Sequence, residues 1–164
     1  LTEFLHQAVA ELARLHGEEI ADWTDEHERW RVYRRALQDR GVHAMDPLGR
    51  AVVHERDAAL ALTVVLRVLE LVPAGERAAW IRRLPQPGDR DYADARARDL
   101  AVLDALAEPA GDGEEGSYAE AGWSDWLQLR LAETSPRRRL LEHLAASGST
   151  KRIRRIARER AAPQ

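Results

Sequence analysis

Apolar positions along this chain recur every three to four residues, and no window of four or more alternates cleanly as a strand requires. Phe4, Leu5, Ala8, Val9, Leu12 and Leu15 line one face of a first helix that stops near Gly17. Asp25 with Glu28 reads as a capping box, opening a helix through Trp30, Tyr33 and Leu37 to a stop at Gly41. Asp46-Pro47 reads as an N-cap followed by proline at the first helical position, starting a short helix to about Glu55. From Asp57 to Val72 the pattern is apolar nearly all round. Its polar exceptions, Thr63, Arg67 and Glu70, fall on one thin stripe, so this helix is predicted to form the core. Pro73 ends it, and a short helix carrying Trp80, Ile81 and Leu84 follows. LPQPGDR reads as a turn before a longer helix over Asp91–Ala107, and residues 108–122 read as an acidic mobile loop. Ser124 caps a helix through Leu131, Ser135-Pro136 opens another that Gly148 closes, and Ser149 or Thr150 caps the last. The expectation is an all-α domain over 1–164 with eight or nine short helices.

An internal repeat refines this. RDAALALTVVLRVLELV (56–72) and RDYADARARDLAVLDAL (90–106) align without gaps at an offset of 34. The Arg-Asp pair, two alanines and the L-x-V-L core coincide; Asp125 lies a further 34 along, but the match after it is poor. An offset of this size is what stacked helix pairs produce. In these features the chain resembles HEAT-type helical repeats, over roughly 46–107 and more loosely 124–161. The resemblance implies a scaffold or adaptor without chemistry of its own. Short second helices and the acidic insertion at 108–122 depart from the family pattern. The packing is therefore expected to be either HEAT-like or an irregular orthogonal bundle.

Composition bounds the setting. A chain of 164 residues without cysteine has no disulfide framework and no thiolate metal site, which fits a reducing cytosol. The longest apolar run, AALALTVVL, is too short for a membrane span, and a cytoplasmic protein without membrane partners is expected. Among 25 basic residues only Lys151 is lysine, the coding bias of a GC-rich bacterial genome. The first residue is Leu1 rather than Met, which reads as a piece of a longer protein.

Familiar chemistry is missing. There is no phosphate-binding G-x-x-x-x-G-K, no G-x-S-x-G elbow and no H-E-x-x-H. Glu3-x-x-His6 is the lone E-x-x-H pair where a di-iron bundle needs two, and the six histidines show no ligand spacing. Glu18-Glu19 and Glu114-Glu115 lack the apolar setting that raises a carboxyl pKa. No catalytic residue, metal ligand or cofactor is expected, and the chain reads as a non-enzyme. Trp30 with Tyr33, and Trp123 with Trp126, are each three apart and share a helix face, as core or as an aromatic docking patch.

Charge changes the reading most. From Pro136 to Gln164 nine Lys/Arg face two acids, a net +7, whereas the first 135 residues carry −10. In the last helix Ile153, Ile156, Ala157 and Ala161 form a narrow apolar stripe, and Lys151, Arg152, Arg154, Arg155 and Arg158 cover the remainder. Lys151 with Arg155 and Arg154 with Arg158 are like-charge i, i+4 pairs. Basic groups also crowd the first turn, where the helix dipole is already positive; Arg137, Arg138 and Arg139 repeat this after Ser135-Pro136. Something negative should compensate. The candidates are the chain's own acids (Asp112, Glu114, Glu115 and Glu120, or acidic helix ends), an acidic protein partner or second copy, and nucleic acid phosphate. The charge pattern favours a protein partner docked on Arg137, Arg138, Arg139, Lys151, Arg152, Arg154, Arg155 and Arg158 with Trp123 and Trp126. The alternative is a nucleic-acid-binding accessory role for the same arginines, set against the body's negative charge.

Overall fold

The computed structural model describes residues 2–39, 42–107 and 122–162. The chain is all-helical, with nine helices and no strand among the described residues. They are α1 (Thr2–Leu15), α2 (Glu26–Asp39), α3 (Val42–His54), α4 (Ala58–Leu69), α5 (Ala74–Ile81), α6 (Pro87–Leu106), α7 (Asp125–Thr134), α8 (Arg138–Ser147) and α9 (Lys151–Ala161). The chain divides into two compact units, Leu1–Ala97 and Arg98–Gln164, with α6 running through the boundary. The acidic stretch at 108–121 and the Gly41 stop lie outside the described residues.

In the first unit α1 lies along α3, and α2 meets α1, α3 and α4. Leu5, Val9 and Leu12 of α1 are buried with Val32 and Tyr33 of α2 and Leu48, Ala51 and Val52 of α3. In α4, Ala61, Val64, Val65, Val68 and Leu69 are buried, whereas Thr63 and Arg67 are exposed and Glu70 is half-buried. The polar stripe thus sits at the helix edge, as its spacing requires. Gly17 ends α1 in the left-handed conformation, φ 64°. Glu18 N donates to Ala13 O at 2.9 Å and Gly17 N to Arg14 O at 3.2 Å, the paired bonds of a Schellman stop.

Three starts differ from the sequence reading. α3 begins at Val42, four residues ahead of Asp46, with Pro47 inside it. The added turn buries Ala44, and the missing proline N–H removes a single ladder bond. α6 begins at Pro87, inside the stretch read as a turn, because a proline in the first helical position lacks only an amide that no helix bonds. At α2, Asp25 Oδ1 accepts from His27 N at 2.9 Å and caps the helix. Glu28 does not complete the box: Asp25 N is taken by Asp22 O at 3.3 Å, and Glu28 pairs with Arg31 at 2.9 Å.

The second unit closes around Leu127, Leu131 and Ala132 of α7, Leu140 and Leu144 of α8, and Ile153 and Ala157 of α9. Val102, Leu103 and Leu106 of α6 pack against this cluster. Ser124 Oγ accepts from Leu127 N at 3.1 Å and Thr150 Oγ1 from Ile153 N at 3.2 Å, two side-chain N-caps. α8 starts two residues later than Ser135-Pro136 suggests, with Arg137 as N-cap and its N–H held by Ser135 Oγ at 3.1 Å. Gly148 serves the α8–α9 corner by its size. Its φ of −54° is open to any residue, but a Cβ there would meet Leu144 O at 2.6 Å and Ile153 Cγ2 at 2.8 Å.

The 34-residue repeat matches in burial over its L-x-V-L positions (66, 68 and 69 against 100, 102 and 103) and differs at its start. Asp57 caps α4, its Oδ1 accepting from Leu60 N at 2.9 Å, whereas Asp91 lies inside α6. Ala61 is buried and its counterpart Ala95 exposed; Ala93 is buried and its counterpart Ala59 exposed.

Candidate functional site: a basic face on the C-terminal helices

The arginines of the second unit divide by what holds them. Arg137 Nη2 donates to Ala105 O at 3.3 Å, in the last turn of α6. Arg160 Nη1 donates to Ala132 O at 3.1 Å, in the last turn of α7, and Arg154 Nη1 donates to Gly148 O at the C-cap of α8. Each guanidinium thus meets carbonyls that a helix end leaves without intrahelical partners, at the negative pole of the dipole. The same device recurs in the first unit, where Arg77 Nε donates to Leu69 O at 3.1 Å at the end of α4. Helix C-termini are therefore one compensating partner of the arginine-rich tail, and the sequence reading did not consider them.

A second group forms ion pairs at the surface. Arg138 meets Glu142 at 3.0 Å, Arg155 meets Glu159 at 3.2 Å and Arg152 meets Glu133 at 3.7 Å. Exposed pairs of this kind contribute about 0–1 kcal/mol each and are screened by salt. Arg139 is exposed and engaged as well. Lys151 and Arg158 are exposed and make no ion pair with any described residue.

Helix geometry orders the outer residues. Ile153 and Ala157 point into the core, and Lys151, Arg155 and Arg158, at i, i+4 and i+7, form a ridge on the opposite side. At 1.5 Å rise per residue the ridge spans about 10 Å. Arg152 and Glu159 flank it, both exposed. Trp123 and Trp126 are half-buried and pack against the Leu127–Ala157 cluster, with Arg130 5.6 Å over the Trp126 ring. Of the residues read as a docking surface, the structure gathers Lys151, Arg152, Arg155 and Arg158 on one outward face. Arg137 and Arg154 are turned to backbone carbonyls, and both tryptophans wall the core. Asp112, Glu114, Glu115 and Glu120 lie outside the described residues.

The first unit holds a polar cluster that the sequence reading missed. Glu55, its side chain fully buried, receives Arg29 Nη2 on Oε1 at 2.8 Å and Arg29 Nε on Oε2 at 3.0 Å. Tyr33 Oη donates to Oε2 at 2.7 Å, and the amides of Arg56 and Asp57 donate to Oε1 at 2.9 and 3.1 Å. Arg29 Nη1 donates to Trp23 O and Thr24 O at 3.1 and 2.8 Å. Burial alone would lower the Arg29 pKa, yet the Glu55 hydrogen bonds and charge carry it above its ordinary value. A signal was present: Arg29, Val32, Tyr33, Ala36 and Leu37 form one buried stripe, and an arginine inside such a stripe needs a buried acid. With both Glu55 oxygens engaged, this cluster is a structural latch joining α2 to the α3–α4 connection, and Arg29, Arg56 and Asp57 line a cleft of about 340 Å³ beside it.

Burial, then the Glu55 charge and hydrogen bond, push the Tyr33 phenol well above its ordinary value. Above about pH 10 the unfolded chain loses that proton while the folded one keeps it. Stability then falls as pH rises, by about 1.4 kcal/mol per pH unit from this group. Tyr33→Phe is expected to cost about 1.5–3 kcal/mol at neutral pH through the lost bond to a carboxylate. Its deficit relative to the parent should narrow between about pH 10 and 11 in urea unfolding series. A constant deficit would mean that the phenol titrates alike in both states.

Asp25, Glu26 and His27 are the one grouping of three prospective metal donors among the described residues. His27 is 85 % exposed, and Asp25 Oδ1 is committed to the α2 cap, so the grouping is accounted for without an ion. No helix of the described residues is long and apolar enough to cross a membrane. Comparison with protein-family models, curated proteins and solved structures finds no match.

Proposed function

We propose that this chain is a non-catalytic, helical interaction module of a bacterial cytosol that docks an acidic protein surface on α9. The observation that carries this reading is the Lys151–Arg155–Arg158 ridge, opposite the buried Ile153 and Ala157, with Lys151 and Arg158 unengaged by any described residue. A helix anchored by its apolar stripe presents such a ridge with little loss of conformational freedom on binding. The i, i+4, i+7 spacing matches carboxylates at the same spacing on a partner helix. The proposed role is of the adaptor kind that the HEAT-type resemblance implies. A nucleic-acid role is favoured by one specific feature: Lys151 and Arg152 stand at the N-terminus of α9, where phosphate oxygens are well received.

One titration tests both. A labelled helical peptide bearing glutamates at i, i+4 and i+7 and a labelled DNA duplex are each followed by fluorescence anisotropy at about 50 and 200 mM salt. For Lys151→Glu/Arg155→Glu/Arg158→Glu the peptide affinity is expected to drop at least tenfold, about 1.4 kcal/mol or more. Unchanged peptide binding by this variant would remove the ridge as the docking face. Duplex binding that exceeds peptide binding and collapses with salt would move the reading to nucleic acid.

A further inference from the structure

A groove of about 510 Å³ opens beside α2 and α4 in the first unit, and no residue of it belongs to the α9 ridge. Trp30 and Leu37, two turns apart on α2, and Leu71, just beyond α4, give it an apolar lining. Trp30 and Leu71 are half-buried and Leu37 is buried, so the lining is supported by the core behind it. The Trp30 indole N–H makes no hydrogen bond with any described residue.

Charge sets the character of this groove. Arg34 lies between Trp30 and Leu37 on the same face, exposed and without an ion pair or hydrogen bond to any described residue. Arg67 contributes from α4, its side chain 61 % exposed. The single acid of the lining, Glu70, reaches Arg67 at 3.7 Å, which leaves the groove one positive charge in excess. The helix framework explains neither arginine: neither caps a carbonyl, unlike Arg77, Arg137, Arg154 and Arg160. An apolar floor with a surplus guanidinium at its rim complements an apolar side chain flanked by carboxylates. It is open rather than enclosed, which suits a segment of chain crossing it.

We infer that this groove binds a short acidic–aliphatic segment of a partner protein, seating a leucine-sized side chain on Trp30, Leu37 and Leu71 with a neighbouring carboxylate on Arg34 and Arg67. The bound carboxylate takes the free donors of Arg34. Displacement of water from the Trp30 face supplies the apolar part of the affinity.

The test follows the Trp30 indole N–H resonance by NMR, assigned with Trp30→Phe, during titration with the capped hexapeptide DELLDE. Its neutral counterpart NQLLNQ and its truncated counterpart DEAADE are run alongside. Expected is a saturating shift of the Trp30 signal with DELLDE at up to about 5 mM, the weak range for so small a probe. Both counterparts should bind at least fivefold more weakly, and Arg34→Gln/Arg67→Gln should weaken DELLDE at least fivefold. Both substitutions are of exposed side chains, so the variant's unperturbed amide spectrum elsewhere serves as the folding control. The proposal is overturned by no shift at any concentration, by equal binding of NQLLNQ or of DEAADE, or by indifference to the double substitution. A Trp30 signal that moves with protein concentration alone would instead assign the groove to a second copy of the chain, and would equally overturn it. Because the α9 ridge shares no residue with the groove, the Lys151/Arg155/Arg158 variant should bind DELLDE at Trp30 as the parent does.

Discussion

Glu55→Ala is expected to lower the unfolding free energy by about 3–5 kcal/mol, the range seen when one member of a buried ion pair is removed. Its side chain is fully buried, and its two oxygens accept from Arg29, Tyr33 and the amides of Arg56 and Asp57. Alanine leaves all of these donors in a dry site, and the Arg29 charge with no counter-charge. The attraction between the pair does not set this magnitude. The penalty comes from the uncompensated charge, and that distinction can be measured. Arg29→Met/Glu55→Leu, which removes both charges and keeps apolar volume, should be less destabilised than Glu55→Ala alone. Urea unfolding followed by circular dichroism reads both variants. A double variant worse than the single would mean that the network's hydrogen bonds, rather than charge compensation, hold the corner between α3 and α4. A loss below about 1 kcal/mol for Glu55→Ala would mean that solvent reaches the carboxylate. Since Arg29 neighbours Trp30 on α2, a loosened latch should also weaken peptide binding in the Trp30–Arg34 groove.

What the sequence made legible follows from which forces act over short distances. Period-3.6 faces are local, so the buried stripe of α4 and the Ile153–Ala157 stripe of α9 were readable. Side-chain caps are local as well: Ser124 caps α7 as read, and of the two candidates Ser149 and Thr150 it is Thr150 that caps α9. The starts at Val42 and Pro87 were not, because proline is compatible both with a turn and with the first helical position, and burial of Ala44 decides one of them from a distance. Glu28 looked like a capping-box acid, but Arg31 one turn on is a stronger partner than the Asp25 amide. The 34-residue register splits: Asp57 caps α4 while Asp91 lies inside α6, whereas the L-x-V-L positions 66, 68 and 69 and their counterparts 100, 102 and 103 are all buried or half-buried. At the candidate site, the sequence located the positive charge and could not apportion it. Whether an arginine faces solvent or the carbonyl end of another helix depends on tertiary placement, which a helical wheel of α9 does not contain. Arg137 and Arg154, read as docking residues, are held by Ala105 O and Gly148 O.

That apportioning leads to the second large effect, on α9 itself. Ile153→Ala is expected to destabilise the protein by about 2–5 kcal/mol, because Ile153 is 2 % exposed and its truncation opens a cavity in the cluster it forms with Leu140 and Leu144. Arg154→Ala should cost about 1–2 kcal/mol, the loss of a charged donor to the α8 C-cap carbonyl together with contacts made by its stem. Arg158→Ala should lie within about 0.5 kcal/mol of the parent, as an exposed side chain with no partner among the described residues. The order of the three, read from thermal unfolding, bears directly on function. If Ile153→Ala is silent, α9 is not docked and the ridge has no fixed orientation, which removes the physical basis for selective binding by Lys151, Arg155 and Arg158. If Arg158→Ala destabilises as much as Arg154→Ala, the ridge is structural and its charge is already satisfied. The expected order separates arginines that close the fold from those left to a partner, and in a chain this rich in arginine, charge counting alone cannot make that separation.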